Sequence, residues 1–241
     1  MDEYQQISRM IDHALLRPDT TTRQFEDGCR LAVDYQIGSV CIQPHFLARC
    51  RALLEGSGVR ASTVIGFPHG GQHTTSRVAE AQQALDDGGE ELDVVCNISR
   101  VLSGDWDYVY QDLAAIIDVT HAAGQQIKII FENCYLDDPA RIRLCEICSE
   151  LRADWVKTST GFGSSGAVES DLVLMRKHSA DHVQVKAAGG VRDLDMLLHY
   201  RSLGVTRIGT SSTAVLLGEH RKRLKLSPIS VPGQHFSAAG Y

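Results

Sequence analysis

Leu92-Asp-Val-Val-Cys-Asn-Ile98 opens the stretch whose reading decides the fold. It is a short apolar run, and Asp107–Ala123 follows with helical periodicity. Gly124 ends that segment, and Ile127–Phe131 begins the next apolar run. A brief β-branched run bounded by turn residues reads as a strand, and apolar residues recurring every three or four positions read as a helix with one buried face. Glycine directly after the helix suits a left-handed C-terminal cap. Residues 92–131 are therefore one strand–helix–strand unit, with its two strands parallel.

The unit repeats along the chain. Comparable runs lie at Met10–Ala14, Ser39–Ile42, Ser62–Gly66, Leu92–Ile98, Ile127–Phe131, Asp154–Thr158, His182–Ala187 and Val205–Gly209. Gly38, Gly89, Gly124 and Gly204 each precede a strand and are read as helix caps. The runs look apolar throughout, as expected of parallel strands covered by helices. An open doubly wound sheet usually has five or six strands, whereas eight units in 241 residues match a single-domain (β/α)8 barrel, a TIM barrel. The domain is read as 1–241, with a flexible tail over about 227–241 whose small residues favour mobility.

Composition excludes several classes. The chain is 43% hydrophobic and 22% charged with a net charge of −6, which fits a globular protein and opposes a nucleic-acid surface. No run of eighteen apolar residues predicts a membrane span, and MDEYQQISRM lacks the apolar core of a signal peptide. Seven cysteines in apolar contexts such as Ser39-Val-Cys41-Ile suggest reduced thiols in a cytoplasmic protein. Cys145-Glu-Ile-Cys148 is formally a C-x-x-C motif. It falls within a helical segment rather than at a helix start, so it reads as two packed side chains.

The informative count concerns lysine. Only six of the 24 basic residues are lysine. Lys157, in Asp154-Trp-Val-Lys157-Thr-Ser-Thr-Gly161, and Lys186, in His182-Val-Gln-Val-Lys186-Ala-Ala-Gly-Gly190, each close an apolar run beside a glycine turn. They fall on the sixth and seventh strands, which are neighbours. Mutual repulsion and desolvation lower a lysine pKa, and a neutral amine attacks carbonyl carbon to form a Schiff base. Asp93, inside the fourth run, is costly when buried unless paired, and a lysine would relieve that cost. Asp12 is a similar candidate on the first strand. Lys128 and Glu132 bracket the fifth run and read as a charged pair. Gly189-Gly190-Val-Arg192 and Gly209-Thr-Ser211-Ser212 follow strands seven and eight, where many such barrels hold phosphate.

Three motifs are set aside. Gly161-Phe-Gly163-Ser-Ser-Gly166 matches G-x-G-x-x-G, but the next strand ends in Lys186 rather than an acid, against a dinucleotide fold. His69 and His73 are separated by Gly-Gly-Gln, which opposes a zinc-binding helix. The run His220-Arg-Lys-Arg-Leu-Lys225 reads as a solvated helix end.

These segments resemble the deoxyribose-phosphate aldolase family. The likeness runs from Ile11-Asp-His-Ala-Leu-Leu16 to the last residue. It is most specific at Val156-Lys-Thr-Ser-Thr-Gly-Phe-Gly163, Val185-Lys-Ala-Ala-Gly-Gly-Val-Arg192 and Arg207-Ile-Gly-Thr-Ser-Ser212. The resemblance implies a class I aldolase that needs neither metal nor cofactor and cleaves 2-deoxy-D-ribose 5-phosphate to acetaldehyde and D-glyceraldehyde 3-phosphate. It implies Lys157 as the Schiff-base lysine, Lys186 as its pKa perturber and Asp93 as proton relay. Asp12, Gly161, Gly189, Gly190, Gly209, Ser211 and Ser212 would bind the phosphosugar. Tyr241, ending the small-residue tail, would be an accessory proton carrier, and the resemblance is compatible with a homodimer. Two positions depart from the family pattern: Ala14 stands where threonine is common, and so does Asn133. Both are expected near the pocket and leave substrate preference open. A non-catalytic phosphosugar-binding barrel, a barrel aldolase with shifted preference and a metal-dependent aldolase using some of the ten histidines are the competing readings.

Overall fold

The computed structural model describes residues 1–229. Eight strands close into one barrel in chain order, every neighbouring pair parallel, with β1 hydrogen-bonded to β8. They are β1 (Ile11–Leu15), β2 (Ser39–Ile42), β3 (Arg60–Ile65), β4 (Glu91–Val95), β5 (Gln126–Ile130), β6 (Trp155–Lys157), β7 (Gln184–Ala188) and β8 (Val205–Thr210). Around them run α1 (Glu3–Ser8), α2 (Thr22–Asp34), α3 (Leu47–Leu53), α4 (Thr74–Asp86), α5 (Ile98–Leu102), α6 (Trp106–Ala122), α7 (Asp138–Glu150), α8 (Glu169–His178), α9 (Leu194–Ser202) and α10 (Thr213–Arg223). The barrel expected from the repeated units is the one observed, with strand boundaries shifted by a few residues at most sites.

The helices start where short polar side chains cap them. Thr21 and Gln24 form a reciprocal capping box on α2, and Asp105, Asp137 and Asp193 accept from the first turns of α6, α7 and α9. In α6 the buried side chains Val109, Leu113, Ile116, Ile117 and Thr120 form one stripe against the sheet. Cys145 and Cys148 are buried in α7, where burial raises both thiols, Cys145 to about 11. They are packed side chains, as read from the sequence.

Two local expectations fail. The sequence predicts glycine caps at Gly38 and Gly89. The left-handed positions are Gln36 and Gly88. Gly38 is needed for space, because a Cβ there would collide with the carbonyl oxygen of Arg9. The strands are also not apolar throughout. Leu92, Val94, Ile127, Ile129, Val156, Val185 and Ala187 join the core between sheet and helices. The alternating residues Glu91, Asp93, Lys128, Trp155, Lys157 and Lys186 are buried apart from that core, which is the period-two signature of a barrel interior. This barrel is filled largely with charge.

Candidate active site

The interior charges form one chain along the barrel. At its lower end Arg207 donates to both oxygens of Glu91 at 3.0 Å, and Lys128 Nζ lies 2.6 Å from Glu91 Oε2. Lys128 also donates to Asp93 Oδ1 at 2.8 Å. The other oxygen of Asp93 accepts from Lys157 Nζ and from Lys186 Nζ, each at 2.6 Å. Lys186 reaches across to Asp12 as well. Sequence position brings the two strand-end lysines together because Lys157 and Lys186 are directly paired across β6 and β7.

Three carboxylates thus face four buried cations, Arg207, Lys128, Lys157 and Lys186. The surplus positive charge falls on the cation with the poorest share of carboxylate. Lys128 has Glu91 and Asp93, and although burial opposes its charge, these two carboxylates outweigh burial and raise its pKa. Burial likewise opposes the charge on Lys186, and Asp12 and Asp93 reverse the effect. Lys157 has only a shared oxygen of Asp93. Burial dominates, Asp93 offsets it in part, Lys186 adds repulsion, and the Lys157 pKa falls below that of an ordinary lysine. Burial would raise Asp93, but Lys128, Lys157 and Lys186 together hold it well below the usual carboxylate range. Asp12 is also held low, by Lys186 and Lys128 against the effect of burial.

Above this cluster lies a cavity of about 620 Å³. Of the residues singled out in the sequence, Asp12, Lys157, Gly161, Lys186, Gly189, Gly190, Gly209, Ser211 and Ser212 line it. Asp93 sits beneath, fully buried. Tyr241 lies outside the described residues. Gly209 makes room for the lysine itself, since a Cβ there would approach Lys186 Cε to 3.3 Å and Ala188 Cβ to 3.0 Å. Gly189 takes φ +83°, and its Cα would meet any Cβ added at Gly166 at 2.8 Å. Of the glycines in the G-x-G-x-x-G match, Gly163 and Gly166 thus serve close packing against neighbouring loops, while Gly161 lines the cavity. No side chain caps α10, whose N-terminus adjoins Ser211 and Ser212, so the positive end of its dipole is open to an anion in the cavity.

Other readings need correction. Lys128 and Glu132 are not a pair: Lys128 belongs to the lower charge layer, while Glu132 lies beyond the end of β5 and accepts from Thr160. Ala14 does line the cavity, but Asn133 does not. Its amide donates to Asp171 Oδ2 at 3.0 Å on α8. His220, in the basic run at the end of α10, is buried and stacks on Tyr4, although Arg223 nearby is a solvent-facing ion-pair partner of Asp195. Sequence reasoning did not find Glu91 and Arg207, nor the wall made by Arg17, Thr20, Gln24 and Arg192. The inward alternation of the strands was the available signal for the first two.

Among the described residues, Asp12, Cys41 and Asp93 place one ligand atom each within 4.8 Å of one another, with no histidine in the group. The Lys186 ammonium already bridges the two carboxylates, and burial pushes the Cys41 thiol up to about 12. With Lys186 on one oxygen of each carboxylate and a thiol that stays protonated, the donor set fits a metal ion poorly.

The family model described as DeoC/LacD family aldolase matches residues 6–203. Barrel, lysine cluster and this match define a (β/α)8-barrel aldolase, a carbon–carbon lyase. More particularly, the chain belongs to the DeoC/LacD aldolase family. It is 58% identical over 229 residues to the deoxyribose-phosphate aldolase of Rhodopirellula baltica, covering 95% of each chain. It is 38% identical to the enzyme of the same name from Caldicellulosiruptor saccharolyticus, covering 89% of this chain and 98% of the relative. The solved deoxyribose phosphate aldolase of Aeropyrum pernix, described as tetrameric, superposes with a TM-score of 0.84 at 31% identity, over 92% of this chain and 93% of that one.

Proposed function

We propose that this aldolase reversibly cleaves 2-deoxy-D-ribose 5-phosphate to acetaldehyde and D-glyceraldehyde 3-phosphate through a Schiff base on Lys157. The observation that carries the reading is the amine of Lys157, its pKa lowered, 2.6 Å from Asp93 on the floor of the cavity. The neutral amine adds to C1 of the open-chain sugar, and loss of water from the carbinolamine leaves the iminium. The C3 hydroxyl gives up its proton, C3 becomes the carbonyl carbon of the triose phosphate, and the electrons of the C2–C3 bond pass into the iminium. Acetaldehyde accordingly retains C1 and C2 of the sugar. Protonation of the enamine at C2 and addition of water at C1 release acetaldehyde and restore the amine.

Asp93 and Lys186 are proposed to move the protons of these steps. Asp93 touches both lysines through one oxygen, and Lys186 bridges onward to Asp12. Gly161, Gly189, Gly190, Gly209, Ser211 and Ser212 are proposed to hold the phosphate, with the α10 N-terminus adding a favourable dipole. Asp12 is proposed to orient the sugar, with Tyr241 as an accessory proton carrier. We read the whole chain 1–241 as one catalytic domain, and the tail expected over about 227–241 falls mostly outside the described residues. No helix among the described residues is long and apolar enough to cross a membrane, and their seven cysteines are free, which supports a reducing, cytoplasmic setting. One relative described as tetrameric supports a homo-oligomer, for which light scattering distinguishes the expected dimer from a tetramer.

Borohydride reduction in the presence of acetaldehyde, followed by peptide mass mapping, tests the mechanism. An N-ethyl adduct on Lys157 is expected. Turnover of the sugar phosphate with no adduct on Lys157 contradicts it.

A further inference from the structure

Glu132 stands two residues past the end of β5 and is the N-terminal flank of a short 3-10 turn at Asn133–Tyr135. Its backbone is left-handed, with φ 56° and ψ 63°, although it is neither glycine nor asparagine. Such a conformation is disfavoured for a residue with a Cβ and persists where the surroundings enforce it. The enforcing contacts are visible on both sides. Phe131 N donates to Lys157 O at 2.9 Å and Asn133 N donates to Thr158 O at 2.9 Å, so β5 stays paired to the β6 side before and after Glu132. Between those two bonds the side chain of Glu132 is turned onto the loop that follows Lys157.

There it does one job. The carboxylate accepts from the backbone N–H of Thr160, at 3.2 and 3.3 Å to its two oxygens, and from the Thr160 hydroxyl. Thr160 Oγ1 in turn accepts from Phe162 N at 2.9 Å. These bonds bracket Gly161, which lines the cavity beside Thr160 and has φ +90°. A Cβ on Gly163 would come within 3.1 Å of the carboxylate, so the loop is fitted closely around it. Glu132 is 2% exposed and, among the described residues, forms no ion pair within 4.0 Å. A buried acid held by neutral donors is an expensive way to fold a loop, which points to a role in the site.

We propose that Glu132 is a positioning residue that fixes the Thr160–Phe162 turn and so sets Gly161 for the phosphate end of the substrate. This rests on the phosphosugar reading above and names a specificity determinant within it. Glu132 does not touch the reacting carbons. It acts through Thr160, and its contribution is selective for the phosphorylated sugar over the same sugar without phosphate.

The test compares 2-deoxyribose 5-phosphate with 2-deoxyribose in Glu132→Ala, Glu132→Gln and Thr160→Val, alongside calorimetric titration of each protein with inorganic phosphate. Glutamine can accept from the Thr160 N–H and donate to its hydroxyl oxygen, whereas alanine can do neither. Glu132→Ala is expected to raise KM for the phosphorylated sugar on the order of tenfold to a hundredfold, with a smaller change in kcat, the scale of losing charged hydrogen bonds. The ratio of the two kcat/KM values should fall by a similar factor, phosphate affinity should weaken, and Glu132→Gln should recover most of both. Thr160→Val, which removes only the hydroxyl, should give a partial loss of the same kind even if the alanine variant folds poorly. An equal fall for both sugars, or unchanged phosphate affinity in Glu132→Ala and Thr160→Val, overturns the inference while leaving the aldolase reading intact. Wild-type protein that binds no phosphate and prefers neither sugar overturns both.

Discussion

The two ends of the barrel interior use the same residue types for opposite purposes. At the lower end Arg207 and Lys128 are buried against Glu91, Lys128 draws on Asp93 as well, and both cations lie over the Trp155 ring, Arg207 at 5.0 Å and Lys128 at 5.7 Å from its centroid. At the upper end Lys157 and Lys186 share one oxygen of Asp93 beneath a cavity. Lys128 and Lys157 are both buried beside Asp93, yet their pKa values move in opposite directions. The difference is partner count: a lysine with its own second carboxylate stays charged, and a lysine sharing one is the first to give up its proton. An arginine at position 157 could not make that choice, because it stays protonated.

The sharpest way to break the comparison is Lys157→Met. Without the amine, cleavage is expected to fall by at least about 10⁴-fold, the scale on which loss of a covalent nucleophile registers, while circular dichroism stays that of the folded barrel. Lys186→Met comes next, with a loss on the order of 10²- to 10⁴-fold from disrupted proton transfer. It also moves the pH profile. Removing Lys186 ends a repulsion that lowers the Lys157 pKa and leaves Asp93 and Asp12 less compensated, so every change raises that pKa. The activity profile should therefore shift to higher pH, and a shift to lower pH would contradict the assignment of roles.

Glu91→Gln probes the lower end. It leaves Lys128 and Arg207 short of a buried partner and should cost about 3–5 kcal/mol of stability by urea unfolding, with less than about a tenfold change in kcat/KM. The wild-type carboxylates also set the acid limit. Glu91, Asp93 and Asp12 are all depressed in the fold, against the opposing effect of burial. Their contribution is fully present above the unfolded carboxylate pKa of about 4 and is lost as pH falls through the lower folded values. Denaturation curves should be insensitive to these groups above about pH 5 and fall away below about pH 4.

The smallest effects separate the two departures from the family pattern. Ala14→Thr adds a hydroxyl to the cavity wall and should change KM by a few fold (~2–5-fold). Asn133→Thr should leave KM alone and show only in stability, because its side chain bonds Asp171 rather than the cavity.

Much of this was legible in the sequence, for reasons that the residues explain. The repeated strand–helix units specified eight strands, and a lysine ending two successive apolar runs specified an adjacent pair. Lys128 misled because period-two alternation is hard to see inside a run such as Gln126-Ile-Lys-Ile-Ile130, so its true partners Glu91 and Asp93 on β4 were hidden. Asn133 follows a residue in the left-handed region, and no sequence rule turns a glutamate that way. The cap at Gln36 rather than Gly38 has the same origin: Gly38 is fixed by a close approach of Arg9, a contact between residues 29 positions apart in sequence.

The central claim is that the surplus positive charge of the buried cluster falls on Lys157, the lysine with the poorest share of carboxylate, and leaves it as the reactive amine. The pH dependence of reductive alkylation by acetaldehyde, mapped lysine by lysine, tests it most directly. Labelling of Lys157 should rise with an apparent pKa below the 10.5 of an ordinary lysine, while Lys128 and Lys186 stay unlabelled over the same range. Labelling of Lys186 before Lys157, or a Lys157 midpoint at or above 10.5, would contradict it.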